Sequence, residues 1–176
     1  MTDVELVIRA SAFAAHKHRD QRRKDAAATP YINHPLSLAL VLSAEGGITD
    51  VATLGAALLH DTIEDTETLP EELERSFGAE IRTIVEEVTD DKGLPKADRK
   101  RLQVEHAAHV SHKAQLVKLA DKICNLRDVA TSPPDRWDLA RRQEYFDWCK
   151  RVIDQLRGAH AGLEAVFDRA YADRPS

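Results

Sequence analysis

The residues with most chemistry to offer stand in Leu54–Thr66, LGAALLHDTIEDT, where His60, Asp61, Glu64 and Asp65 follow an apolar run. On a helix, side chains three and four apart share a face. His60 therefore neighbours Glu64, and Asp61 neighbours both Glu64 and Asp65. Anions crowded at the end of a buried helix are unfavourable unless a cation joins them, and a metal ion is the simplest cation to supply. His34, just before Pro35, and Asp121 in LVKLADKICNLRD can complete such a site. Two imidazoles and two carboxylates make a mixed N/O donor set, suited to Mn²⁺, Fe²⁺ or Mg²⁺. Read singly, each has a plainer explanation: His34 bonded to backbone at a helix start, or Asp121 paired with Lys118 on a solvated face. Their convergence is what favours the metal.

The elements that must position these residues read as helices. Gly and Pro number 7 each, Ala, Leu, Glu and Arg abound, and no strict apolar–polar alternation stands out, so the fold class is all-α. The first helix should run from Asp3 into the basic stretch, with Val4, Val7, Ala10, Phe13 and Ala14 as one apolar face. Pro35 should open a second helix over Leu36–Leu42. Thr49 or Asp50 should cap the third, which carries Leu54–Thr66 as one continuous element. Thr68 and Glu71 have the spacing of a capping box for the next helix, ending at Phe77–Gly78. Helices then follow over Glu80–Val88, Lys96–Val110, Ala114–Ala130, Trp137–Arg157 and His160–Tyr171, with a break at Thr89–Pro95. Residues 1–176 are expected to form a single domain.

Several function classes are disfavoured. A net charge of −5 argues against extended nucleic-acid binding. The basic patch at Arg22, Arg23 and Lys24 is small and suits a phosphorylated small molecule better. No run of about 18 apolar residues suggests a membrane span, and no leader is evident, so a cytoplasmic location is expected. Cys124 and Cys149 form no CxxC pair. His106, His109 and His112, spaced by three, drift round their helix and are expected to be surface or packing residues.

The order H…HD…D resembles the HD-domain phosphohydrolases, metal-dependent enzymes built as multi-helix bundles. RRKD…TPYINHP, ALLHDTIEDT, EEVTDDKGLPK, RKRLQVEHA, LVKLADKICNLRD and RRQEYFDW together resemble the hydrolase part of RelA/SpoT proteins, and the stand-alone SpoT-like hydrolases of animals in particular. The resemblance runs from about Phe13 to Trp148. It implies a Mn²⁺-dependent guanosine-3′,5′-bis(diphosphate) 3′-pyrophosphohydrolase, without a synthetase part, that cleaves (p)ppGpp to GDP or GTP and pyrophosphate. It implies His34, His60, Asp61 and Asp121 as metal ligands, and Glu64 and Asp65 as the pair that handles the attacking water. It also implies Arg23, Lys24, Asn125, Lys96 and Tyr145 as nucleotide contacts. Two rival readings remain: removal of the 2′-phosphate of NADPH at the same site, and a non-catalytic alarmone-binding module. The second predicts loss of Glu64, Asp65 or a metal ligand, and all of them are present. The oligomeric state is open.

Overall fold

The computed structural model describes residues 1–176, arranged as ten α-helices with no strand beyond an isolated bridge between Arg22 and Pro30. They are α1 (Asp3–Lys17), α2 (Asn33–Leu40), α3 (Val51–Leu59), α4 (Thr62–Asp65) and α5 (Pro70–Phe77). Then come α6 (Ala79–Val88), α7 (Lys96–His106), α8 (His112–Thr131), α9 (Leu139–Asp154) and α10 (Ala161–Ala172). The all-α expectation holds. No helix is long and apolar enough to cross a membrane.

Helix α3 is the hub, packed against α1, α2, α6 and α8. Its residues explain this. Ala52, Thr53, Gly55, Ala56, Ala57, Leu58 and Leu59 are all buried, and a helix apolar on every side must be surrounded. Leu58 and Leu59 each contribute roughly 1.5–3 kcal/mol by full burial. Gly55 permits the closest approach: a Cβ there would lie 2.9 Å from Ile81 Cδ1 and 3.0 Å from Leu6 Cδ2. The Asp50 side chain caps α3 by accepting from Thr53 N at 2.8 Å, as expected of one of the two candidates. Helix α8 is the second pillar and touches α2, α3, α6, α9 and α10. Its apolar stripe of Leu116, Leu119, Ala120, Ile123 and Leu126 is fully or almost fully buried.

Four local expectations are corrected. Leu54–Thr66 is not one helix: α3 ends at Leu59, Asp61 takes φ −98° and ψ 0°, and α4 restarts at Thr62. The carbonyls released at the break find side-chain partners. His60 Nδ1 binds Ala57 O at 2.8 Å, and Thr62 Oγ1 donates to Leu59 O at 2.7 Å. His34 lies inside α2 rather than before it, and a π-helical turn over Val41–Glu45 extends that helix. The capping box does not form, because Thr68 is drawn into a 2.7 Å bond with Thr66 Oγ1 and Leu69 takes the cap position. The apolar face of α1 is narrower than expected. Ala10 and Ala14 are buried, whereas Val4 is 69% exposed.

Candidate active site and metal centre

The break between α3 and α4 puts His60 and Asp61 at the core end of the hub, facing α2 and α8. His34 from α2, His60 and Asp121 from α8 each present a ligand atom, and these atoms lie within 4.8 Å of one another. Asp61 joins them: its Oδ2 is 2.9 Å from His60 Nε2 and 4.0 Å from His34 Nε2. His34 Nε2 stands 3.2 Å from Asp121 Oδ1. Both imidazoles are buried, while the two carboxylates keep a little exposure toward a cleft.

The donor set fits a divalent cation on one specific observation. Ala57 O can only accept, so the Nδ1 of His60 carries the hydrogen, and in the neutral ring Nε2 presents a lone pair. That lone pair faces Asp61 Oδ2 at 2.9 Å and Asp121 Oδ1 at 4.0 Å, and it is buried without a hydrogen bond of acceptable alignment. A lone pair among carboxylate oxygens repels unless a positive charge enters. Without metal, a proton does so. Burial works to lower the pKa of His60, but Asp61 and then Asp121 push it up to about 9. His34 goes the other way, because burial outweighs Asp121. Burial alone would raise both carboxylates. His60 and His34 nevertheless hold Asp61 far below the usual range, and Lys122 with His34 does the same for Asp121.

Glu64 and Asp65 stand on α4, beside this group. Glu64 Oε2 accepts from Asp90 N at 3.0 Å. Burial pushes its carboxyl up to about 7, against that hydrogen bond and with help from the charges of Asp61, Asp90 and Asp65. Asp65 is held on two sides, by Gln21 Nε2 at 3.0 Å and by Lys92 Nζ.

The cleft has two lobes that share Arg23, Lys24, Tyr31, His34, Asp65, Asn125 and Tyr145. The outer lobe, about 600 Å³, has Tyr31, Trp137 and Tyr145 in its wall, with Pro134 and Val129. The inner lobe, about 380 Å³, reaches His60, Asp61, Glu64 and Asp121 and continues to Lys96, Arg99, Lys100, Lys118 and Lys122. All eleven residues singled out in the sequence line one lobe or both. Arg23 is braced by Asp128 at 2.5 Å and lies over the Tyr31 ring, while Lys24 is exposed at the mouth. Asn125 Nδ2 donates to Asp121 Oδ1 at 2.7 Å, so it bears on the carboxylate as well as on the cleft. The Tyr145 ring packs at a tilt between Trp137 and Trp148, with centroids 5.1 and 5.4 Å away.

The polar strip of α8 is not a solvated face. Lys118 and Lys122 are 8% and 5% exposed, and Asp121 pairs with Lys122 at 2.9 Å rather than with Lys118. Sequence reasoning also passed over Tyr31, whose hydroxyl donates to Asp61 Oδ2 at 2.5 Å. Burial and Asp61 raise its phenol far above the ordinary value, so it remains a donor. Its place in TPYINHP, three residues before His34, was the available signal. His106, His109 and His112 are exposed, as expected.

With this geometry established, comparison with known proteins identifies the family. A family model described as HD domain matches residues 10–145. Guanosine-3′,5′-bis(diphosphate) 3′-pyrophosphohydrolase MESH1 of Xenopus tropicalis is 58% identical over 173 residues, covering 98% of this chain and 97% of that protein. The protein of the same name from Homo sapiens is 54% identical over an equal span, with the same coverage. A solved structure described as a metazoan ortholog of SpoT that hydrolyzes ppGpp and plays a role in starvation responses superposes with a TM-score of 0.93. It is 48% identical, with 96% of this chain and 95% of that one covered. The chain belongs to the HD-domain family, among the MESH1-type homologues of SpoT.

Proposed function

We propose that this protein is a guanosine-3′,5′-bis(diphosphate) 3′-pyrophosphohydrolase that works with Mn²⁺ held by His34, His60, Asp61 and Asp121. The observation that carries the reading is the buried His60 Nε2, aimed at two carboxylates that only a cation can reconcile with it, in the inner lobe of the cleft. The MESH1 relatives carry this activity in their names and match nearly the whole chain.

A divalent ion supplies a Lewis acid there, able to bring the pKa of a water from about 15.7 toward about 7 and to polarise a phosphoryl oxygen. The protein does the rest. Water oxygen bonds to the phosphorus attached to the ribose 3′-oxygen, that P–O bond breaks, and pyrophosphate leaves with the water oxygen. One proton of the water passes to Glu64 and from there to the ribose oxygen. Burial favours the protonated form of this carboxyl, which suits a group that must both accept and return a proton. Asp65, clamped by Gln21 and Lys92, orients the same water. Tyr31 holds Asp61 in its ligand position. Arg23, Lys24 and Lys96 attract the phosphates that a chain of net charge −5 would otherwise repel. Asn125 and Tyr145 position the nucleoside.

The test is product identity. Purified protein with Mn²⁺ should convert ppGpp to GDP and pyrophosphate. Orthophosphate released from NADPH faster than pyrophosphate from ppGpp, at matched enzyme and metal, would replace this reading with the 2′-phosphatase. Tight ppGpp binding without any pyrophosphate over hours would replace it with a binding module.

A further inference from the structure

The inner lobe does not end at the metal ligands. Beyond them α7 and α8 bring Lys96, Arg99, Lys100, Lys118 and Lys122 to one wall. Two of these cations have carboxylate partners: Lys122 with Asp121 at 2.9 Å, and Lys100 with Glu144 at 3.6 Å. Lys118 forms no ion pair although only 8% of it is exposed. Arg99 has none either, and its Nε is buried without any hydrogen-bond partner. The nearest acids are otherwise engaged. Asp90 accepts from Gln103 at 2.6 Å, and Glu64 accepts from the Asp90 backbone. A guanidinium N–H buried without an acceptor, and an ammonium of an otherwise buried lysine that meets only the cleft, are costly unless an anion completes them. Neither is explained by the fold: both face the cleft, and hydrophobic residues in their place would line that wall at lower cost.

The arrangement has a direction. The outer lobe offers aromatic walls and room for a nucleoside, His34 and Asp65 stand at the junction, and the α7–α8 end is cationic. We propose that Lys118 and Arg99, flanked by Lys122, form an inner anion subsite that receives the terminal phosphate of the 3′-diphosphate and then holds the pyrophosphate product. The identity of the anion rests on the pyrophosphohydrolase reading; the existence of a diphosphate-sized anion site does not. The subsite sets preference for a diphosphate leaving group over a single phosphate and places the cleaved product on the far side of the metal from the nucleoside.

The experiment uses metal-loaded full-length protein with inorganic pyrophosphate and inorganic phosphate as probes, followed by titration calorimetry and as inhibitors of ppGpp hydrolysis. Wild type should bind pyrophosphate more tightly than phosphate. Lys118→Met and Arg99→Gln should each weaken pyrophosphate by about tenfold or more, the scale of a lost charge-assisted contact, while phosphate binding and metal content stay near wild type. Lys118→Arg, which keeps the charge, should restore most of the preference. Arg99 lies on the half-exposed α7, so Arg99→Gln decides the matter should Lys118→Met not fold. Unchanged pyrophosphate binding in Arg99→Gln and in a folded Lys118→Met overturns the subsite. So does an equal loss of both anions, or loss of metal from either variant, which would mark the pair as structural. A wild-type protein that binds pyrophosphate selectively yet releases none from ppGpp would leave the subsite standing and remove the proposed reaction.

Discussion

At the scale of single residues, the proposed chemistry divides labour between groups that hold and groups that move protons. Glu64 belongs to the second kind, and Glu64→Gln should keep bound metal while losing about 10²–10⁴-fold in kcat. Elemental analysis beside steady-state rates checks both halves; loss of metal would make Glu64 a ligand. The sign of the pH dependence follows from its role. A base must be unprotonated to accept the water's proton, so kcat/KM should fall as pH drops through the pKa of Glu64. Burial puts that value at about 7 in the metal-free protein, and a cation beside Asp61 can only lower it. An acid limb centred clearly above 7 would assign the proton transfer elsewhere. Lys24, exposed at the mouth, should act on binding: Lys24→Ala is expected to raise KM about tenfold with little change in kcat, the pattern of lost uniform binding. The candidate ligands were legible in the sequence because two His and two Asp from separate parts of the chain have few other reasons to converge. Tyr31, Arg99 and Lys118 were not, because their meaning depends on partners 30 or more residues away, or on having none.

At the scale of elements, the site depends on where α3 stops. Reading Leu54–Thr66 as one helix placed His60 and Glu64 on a common face through ideal periodicity. The actual break at Asp61 leaves His60 and Asp61 on the rim of α3 and Glu64 and Asp65 on a separate short turn. Periodicity could not show this, because the break is sustained by the Thr62 and His60 side-chain bonds to the freed carbonyls. The apolar composition of α3 did reveal that it is central. Two substitutions probe how firmly it is seated. Asp50→Ala removes the cap and should cost about 1 kcal/mol. Gly55→Ala drives a methyl into Ile81 and Leu6 and should cost about 1–3 kcal/mol, with metal affinity falling as α3 shifts. Thermal melts with and without Mn²⁺ give both numbers. A melt of Gly55→Ala indistinguishable from wild type would show that α1 and α6 can yield.

At the scale of the whole molecule, an acidic chain carries a cleft whose inner lobe gathers seven Lys and Arg side chains: Arg23, Lys24, Lys96, Arg99, Lys100, Lys118 and Lys122. Bulk charge said nothing about this local reversal. The basic residues come from three separate stretches, Arg23–Lys24, α7 and α8, which only the folded chain brings to one lobe. The fold class was legible from composition and helix punctuation, and the family from motif order. The depth of the cationic wall was not, since Lys118 read as a partner for Asp121 on a solvated face. The proposed activity depends on a cation held by His34, His60, Asp61 and Asp121 that drives pyrophosphate release. Metal analysis coupled to a ppGpp cleavage assay, on wild type and His60→Ala, tests it most directly. The account predicts stoichiometric divalent metal and pyrophosphate production in wild type, with both lost together in the variant. Undiminished pyrophosphate release by chelator-treated protein, or by a metal-free His60→Ala, would contradict it.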